Sequence, residues 1–168
     1  MAEARWELYF LRHADAGDPE GWSGDDAQRP LSPKGVRQIE RLAAFLGGIG
    51  FAPDAIFSSP RLRATQTAEI VAGVVGRTVA VDEHLGGGFT VEALRTLLDT
   101  MQRGDGVGRV LLVGHDPDFS AVVSRLSGAK GIRLPTCTLA RVDLDGRPAA
   151  GGGSLRWLIP SDALEATS

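Results

Sequence analysis

Short apolar runs alternate with stretches of helical periodicity along most of this chain, and that alternation admits few folds. A run that is apolar on both faces belongs in a sheet covered above and below, and parallel strands need a crossover, usually a helix, to join them. The first run, Trp6-Glu7-Leu8-Tyr9-Phe10-Leu11, stops at Arg12-His13. Ser32 then caps a helix opened by Pro33, with Val36, Ile39, Leu42 or Ala43, and Leu46 at helical spacing before Gly47-Gly48. Ala55-Ile56-Phe57 gives a short buried strand that runs into Ser58-Ser59-Pro60, where Ser59 is expected to cap a second helix opened by Pro60. Leu62, Ala68, Val71 and Val75 carry that helix to about Gly76, and a short strand follows around 78–81.

The same rhythm repeats in the second half. Gly86-Gly87-Gly88 breaks the chain, and Thr90 caps a third helix through Leu94, Leu97, Leu98 and Met101. A strand over 109–113 stops at Gly114-His115, and Asp116-Pro117 opens a fourth helix whose Phe119, Val122, Val123 and Leu126 share a side before Gly128. Two late strands, near 138–144 and 154–159, read as a hairpin with a long glycine-rich connection, and the chain after Pro160 is expected to fray. These elements predict an α/β fold: a three-layer αβα sandwich with a mostly parallel central sheet and an antiparallel edge, in one domain spanning 1–168.

Composition narrows the partners. With 43% apolar and 23% charged residues the 168-residue chain reads as an ordinary globular protein. A net charge of −3 without any Lys/Arg-rich block argues against nucleic acid or an anionic membrane held by general electrostatics. No apolar stretch approaches the roughly 18 residues of a membrane-spanning helix. The one cysteine, Cys137, makes no internal disulfide, and no secretory leader is visible, so a cytoplasmic setting is expected.

The chemistry concentrates at three strand-to-helix junctions. Arg12 and His13 stand at the first, Arg61 and Arg63 at the second, and His115 with Asp116 at the third. In a parallel sheet the carboxyl ends of neighbouring strands open onto a shared crevice. Helix N-termini and planar guanidinium groups both favour a tetrahedral oxyanion there, so the junctions predict a phosphate pocket built from Arg12, Arg63, His13 and His115. Nearby positive charge disfavours imidazolium, which keeps His13 neutral and able to attack phosphorus; water would then hydrolyse the phosphohistidine. Glu83 is the candidate proton donor, because Asp82-Glu83-His84 follows the strand near 78–81 and would reach the same rim. Arg61 reads equally as a rim contact or a solvated residue, His84 as a surface residue, Cys137 as a small core residue and Asp116 chiefly as a cap. The spacing of the three histidines suits no zinc site, and neither metal nor cofactor is expected.

Three segments carry a family resemblance: Leu11-Arg12-His13, Ser58-Ser59-Pro60-Arg61-Leu62-Arg63-Ala64 with Gln66-Thr67-Ala68, and Val113-Gly114-His115. In order and over most of the chain they resemble the histidine phosphatase, or phosphoglycerate mutase-like, superfamily. That resemblance implies His13 as nucleophile, Arg12 and Arg63 as phosphate-binding arginines, His115 as the second pocket histidine and, by its place before Gly86, Glu83 as the acid. Arg61 is outside that core set. The short length, Arg29-Pro30-Leu31-Ser32 leading into Gly35, and His115-x-Pro117 further resemble the SixA-like phosphohistidine phosphatases, which implies a phosphohistidine-bearing signalling protein as substrate. Ala14 stands where the family usually has glycine, a mild departure if that position needs no positive φ. Other readings are a phosphatase of a small phosphorylated metabolite, a mutase, for which the chain lacks obvious insertions, and a non-catalytic phosphoprotein-binding module. The loop 14–31 and the glycine-rich stretch 86–89 wall the pocket, and substrate choice depends on them.

Overall fold

The computed structural model describes residues 4–101 and 106–164. Its strands are β1 (Arg5–Arg12), β2 (Ala55–Ser58), β3 (Val79–Val81), β4 (Val107–Gly114), β5 (Thr138–Asp145) and β6 (Gly153–Pro160). Its α-helices are α1 (Pro33–Gly48), α2 (Leu62–Val75), α3 (Val91–Asp99) and α4 (Asp118–Ser127). The strands form one six-stranded sheet in the order β3-β2-β4-β1-β5-β6. The first four in that order run parallel, while β5 pairs antiparallel with β1 and β6 antiparallel with β5. This is the predicted α/β sandwich, and the late hairpin is its antiparallel edge.

Alternation along β1 and β4 explains the layers. Leu8 and Phe10, with Val110 and Leu112, join one buried cluster with α3 and α4; Tyr9 and Leu11, with Leu111 and Val113, join a second with α1 and α2. Successive side chains on a strand face opposite ways, so a strand apolar at every position requires a helical layer on each side.

Register brings the junctions together. Arg12 lies opposite Gly114, so β1 and β4 end level, and the His13 N–H donates to the Gly114 carbonyl at 3.1 Å. Ser58 lies opposite Val113, and the Ser59 N–H donates to the Val113 carbonyl at 2.9 Å. Three strand ends therefore share one rim.

Most helix signals hold. Ser32 caps α1 by accepting from the Gly35 N–H, and Thr90 caps α3 by accepting from the Ala93 N–H. At α2 the structure differs: Ser59 is not its cap, Pro60 stays outside the helix, and the N-cap is Arg61 without a side-chain bond. The Ser59 hydroxyl is engaged elsewhere, with His115 at 2.7 Å and with the Arg61 N–H at 3.2 Å. At α4 the helix begins after Pro117, and Asp116 accepts from both the N–H and the hydroxyl of Ser120, so a carboxylate of the chain itself meets that helix terminus. Met101 lies past the end of α3, half-buried against the same cluster, because the Thr100 hydroxyl donates to the Leu97 carbonyl and closes the last turn. Of the tail expected to fray after Pro160, Ser161–Leu164 forms a 3-10 turn in which Ser161 is buried and its N–H donates to the Cys137 carbonyl at 3.0 Å, and 165–168 lie outside the described residues.

Two glycines allow the close packing behind the rim. A Cβ at Gly35 would stand 2.0 Å from the Asp15 carbonyl oxygen, and one at Gly114 would stand 2.6 Å from the ring of Phe119. The first clash is with backbone, which cannot swing aside. Gly35→Ala is therefore expected to cost about 1–3 kcal/mol in chemical denaturation, at the upper end if α1 cannot shift; unchanged stability would show that α1 is not pinned against Asp15.

Candidate active site

The His13 ring is buried beside the rim, and its Nδ1 lies 2.7 Å from the Ala14 carbonyl oxygen. A carbonyl only accepts, so Nδ1 donates the proton and Nε2 keeps its lone pair. Besides the bond to Gly114, the backbone that makes this possible is tied at two points. The Ala14 N–H donates to the Thr67 hydroxyl at 3.1 Å, Thr67 donates to the Arg63 carbonyl one turn back in α2, and the Cys137 N–H donates to the His13 carbonyl at 3.0 Å. Ala14 has no positive φ, so its methyl group sits without strain where a glycine was the family pattern.

His115 faces His13 with ring centroids 5.2 Å apart and planes tilted by 57°. The Ser59 hydroxyl accepts from the Arg61 N–H and lies 2.7 Å from His115 Nε2, which holds that ring at the rim. Burial is the largest cause pushing His13 down, from 6.5 to about 4, with Arg63, Arg12 and Arg29 adding to it and the Ala14 carbonyl opposing. Burial likewise leads for His115, lowered to about 3, followed by His13 and then Arg63. Both rings are thus disfavoured as imidazolium, with desolvation ahead of the cations as the cause.

Arg12, Arg29, Arg61 and Arg63 line one cavity of about 520 Å³ with the two histidines. The Arg12 guanidinium donates to the Leu134 carbonyl at 2.9 Å. Arg63, buried at the start of α2, donates to both the backbone carbonyl and the carboxylate of Asp26, at 2.9 and 3.1 Å. Asp26 also holds Arg29 at 3.0 Å and Arg61 at 3.0 Å, while Arg61 donates to the Gly86 carbonyl. The hydrogen bond from Arg29, then the charge of Arg63, hold the Asp26 carboxyl below its usual range. Arg61, ambiguous in sequence, is therefore a wall of the cavity.

Glu83 is not brought in. It opens the exposed 3-10 turn Glu83–Gly86, where Asp82 caps by accepting from the His84 N–H, and only the glycines beyond it reach the cavity wall. The carboxylates that do line the cavity are occupied: Asp15 accepts from the Ser32 hydroxyl, Asp116 from Ser120 and Asp118 from the Phe89 N–H. His84 is exposed and paired with Asp82, and Cys137 is buried, its thiol pushed up to about 12 chiefly by burial. No group of three or more His, Cys, Asp or Glu side chains among the described residues is placed to hold a metal ion. No helix among them is long and apolar enough to cross a membrane.

Residues 8–86 match the sequence profile of the Histidine phosphatase superfamily (branch 1). An uncharacterised protein of Mycobacterium tuberculosis is 32% identical over 122 residues, covering 72% of each chain. The chain belongs to the histidine phosphatase superfamily. Within it, the phosphohistidine phosphatase SixA of Escherichia coli is 27% identical over 154 residues, covering 90% of this chain and 91% of that one. The solved structure of a protein histidine phosphatase SixA with tungstate superposes with a TM-score of 0.79 at 26% identity, over 95% of this chain and 99% of that one.

Several residues that build this candidate site carry no site role in the sequence. Asp26 and Arg29 sit in the polar loop 14–31, whose path has no periodic signal; the Arg29-Pro30-Leu31-Ser32 motif and an acid three residues before that arginine are the available hints. Ser59 was read as a helix cap and Thr67 only as part of a motif, although both bind the rim directly. Gln66 adds a further tie, accepting from the Leu31 N–H at 2.8 Å and fastening the loop to α2.

The lowered histidines set a pH dependence. The unfolded chain takes protons on these rings near pH 6.5, whereas folded His13 resists until about pH 4. Their contribution to stability is thus fully present above pH 6.5 and is lost as pH falls from there toward 4. In an NMR titration His13 is expected to stay neutral down to about pH 4; a midpoint near 6.5 would place its ring in water.

Proposed function

We propose that this member of the superfamily is a metal-independent phosphatase in which His13 Nε2 attacks phosphorus. The observation that carries the reading is the Nδ1 contact to the Ala14 carbonyl, which fixes the tautomer and leaves Nε2 as the free base. Arg12, Arg63 and His115, with Arg29 and Arg61 in the same wall, supply donors for the oxygens of a PO3 group. The Nε2 lone pair forms the new P–N bond while the bond to the leaving group breaks with its electron pair. Water then attacks the phosphorus, the P–Nε2 bond returns its pair to the ring, and the proton of the water leaves with phosphate or to solvent.

The substrate class follows from the acid. A phosphate ester needs a proton on its leaving oxygen, yet every carboxylate lining the cavity accepts hydrogen bonds and Glu83 stands outside it. A phosphohistidine exchanges one P–N bond for another, and its ring departs neutral when the far nitrogen carries a proton. No enzyme acid is required. The relatives named as phosphohistidine phosphatases support the same reading. A second cavity of about 560 Å³ shares Arg12, Asp116 and Pro117 with the first, giving a bulky leaving group, such as the phosphohistidine of a signalling protein, a path outward.

Two variants test this. His13→Ala is expected to lower kcat by about 10⁴-fold or more and to abolish an acid-labile, base-stable phosphoryl adduct trapped during turnover; full activity would refute the nucleophile. Glu83→Gln is expected to change kcat/KM on phosphohistidine far less than the about 10²-fold cost of losing a working general acid. A loss of that size would bring Glu83 back into the reaction.

A further inference from the structure

One carboxylate, Asp26, holds three of the four cavity arginines, and its hold on Arg63 is directional. The Arg63 Nη1 donates to the Asp26 carbonyl at 2.9 Å and Nη2 to its Oδ2 at 3.1 Å, so the far edge of the guanidinium fork is taken. The other edge carries Nε, which is buried without a hydrogen-bond partner among the described residues. Arg12 shows the same pattern, with Nη1 on the Leu134 carbonyl and a buried Nε likewise lacking a partner among them. An N–H left unpaired in a buried position is costly unless a ligand completes it.

We propose that Asp26 is a positioning residue: it occupies the outer edge of Arg63 and thereby presents the Nε edge to the PO3 group at His13. Its Oδ1 holds Arg29 and its Oδ2 holds Arg61 together with Arg63, so both oxygens are needed as acceptors. An asparagine there has one acceptor and would turn an NH2 group toward a guanidinium. The inference rests on reading the cavity as a phosphate site.

The test compares the full chain with its Asp26→Asn and Asp26→Ala variants in kcat on phosphoramidate, in Kd for tungstate, and in the ¹H–¹⁵N resonance of Arg63 Nε with and without tungstate. A fall in kcat of about 10- to 100-fold is expected in both variants, as an oxyanion donor loses its alignment. Tungstate affinity is expected to change by less than about 3-fold, because the cavity gains a positive charge as it loses order. The Nε resonance should shift on tungstate in the parent and hardly at all in the variants. A kcat within about twofold of the parent overturns the proposal. So does a parallel loss of kcat, tungstate binding and thermal stability, which would make Asp26 only a strut of its loop. The Nε signal needs no turnover; a parent that binds tungstate but dephosphorylates nothing would sink the phosphatase reading and leave Asp26 still measurable.

Discussion

The pairing of β1 with β4 is the constraint on which the site depends. Because the two strands are parallel and end level, the residues that follow them, His13 and His115, leave the sheet as neighbours although about a hundred positions separate them in sequence. A slip of one residue would turn each strand's apolar set to the opposite layer and part the two rings. The buried clusters on the two faces thus do more than hold the sandwich together. They fix the register that creates the pocket.

Desolvation is the second element of the design. The same burial that packs the rim strips water from the imidazoles, and it outweighs the arginines in keeping them uncharged. Four guanidinium groups around one cavity would repel each other strongly at low dielectric. Asp26 offsets part of that repulsion from the exposed side, with nearly half of its side chain in solvent, and so avoids the cost of a fully buried acid.

Much of this was legible in the chain. The doubly apolar runs and the helical spacing between them point to the layers, and the polar residues that follow β1, β2 and β4 point to His13, His115, Arg12 and Arg63, because a parallel sheet leaves little choice about where its strand ends meet. Legibility failed where local chemistry lost to tertiary contact. Ser59 has the composition of a helix cap but serves His115 instead, so α2 starts later than its sequence suggests. Asp26 and Arg29 lie in a segment organised by the arginines it touches, and its local signals, an acid three residues before an arginine and the Arg29-Pro30-Leu31-Ser32 motif, do not give its path. Glu83 was placed by its distance from a strand, yet the turn capped by Asp82 leaves it on the outside.

The left-handed Cys137, with φ of 53°, donates its N–H to the His13 carbonyl and accepts the Ser161 N–H at its own carbonyl. The hairpin edge and the reactive ring are therefore coupled in series through a single residue. A shift of the residues that close the outer strand bears on the backbone of the ring through the two hydrogen bonds of Cys137.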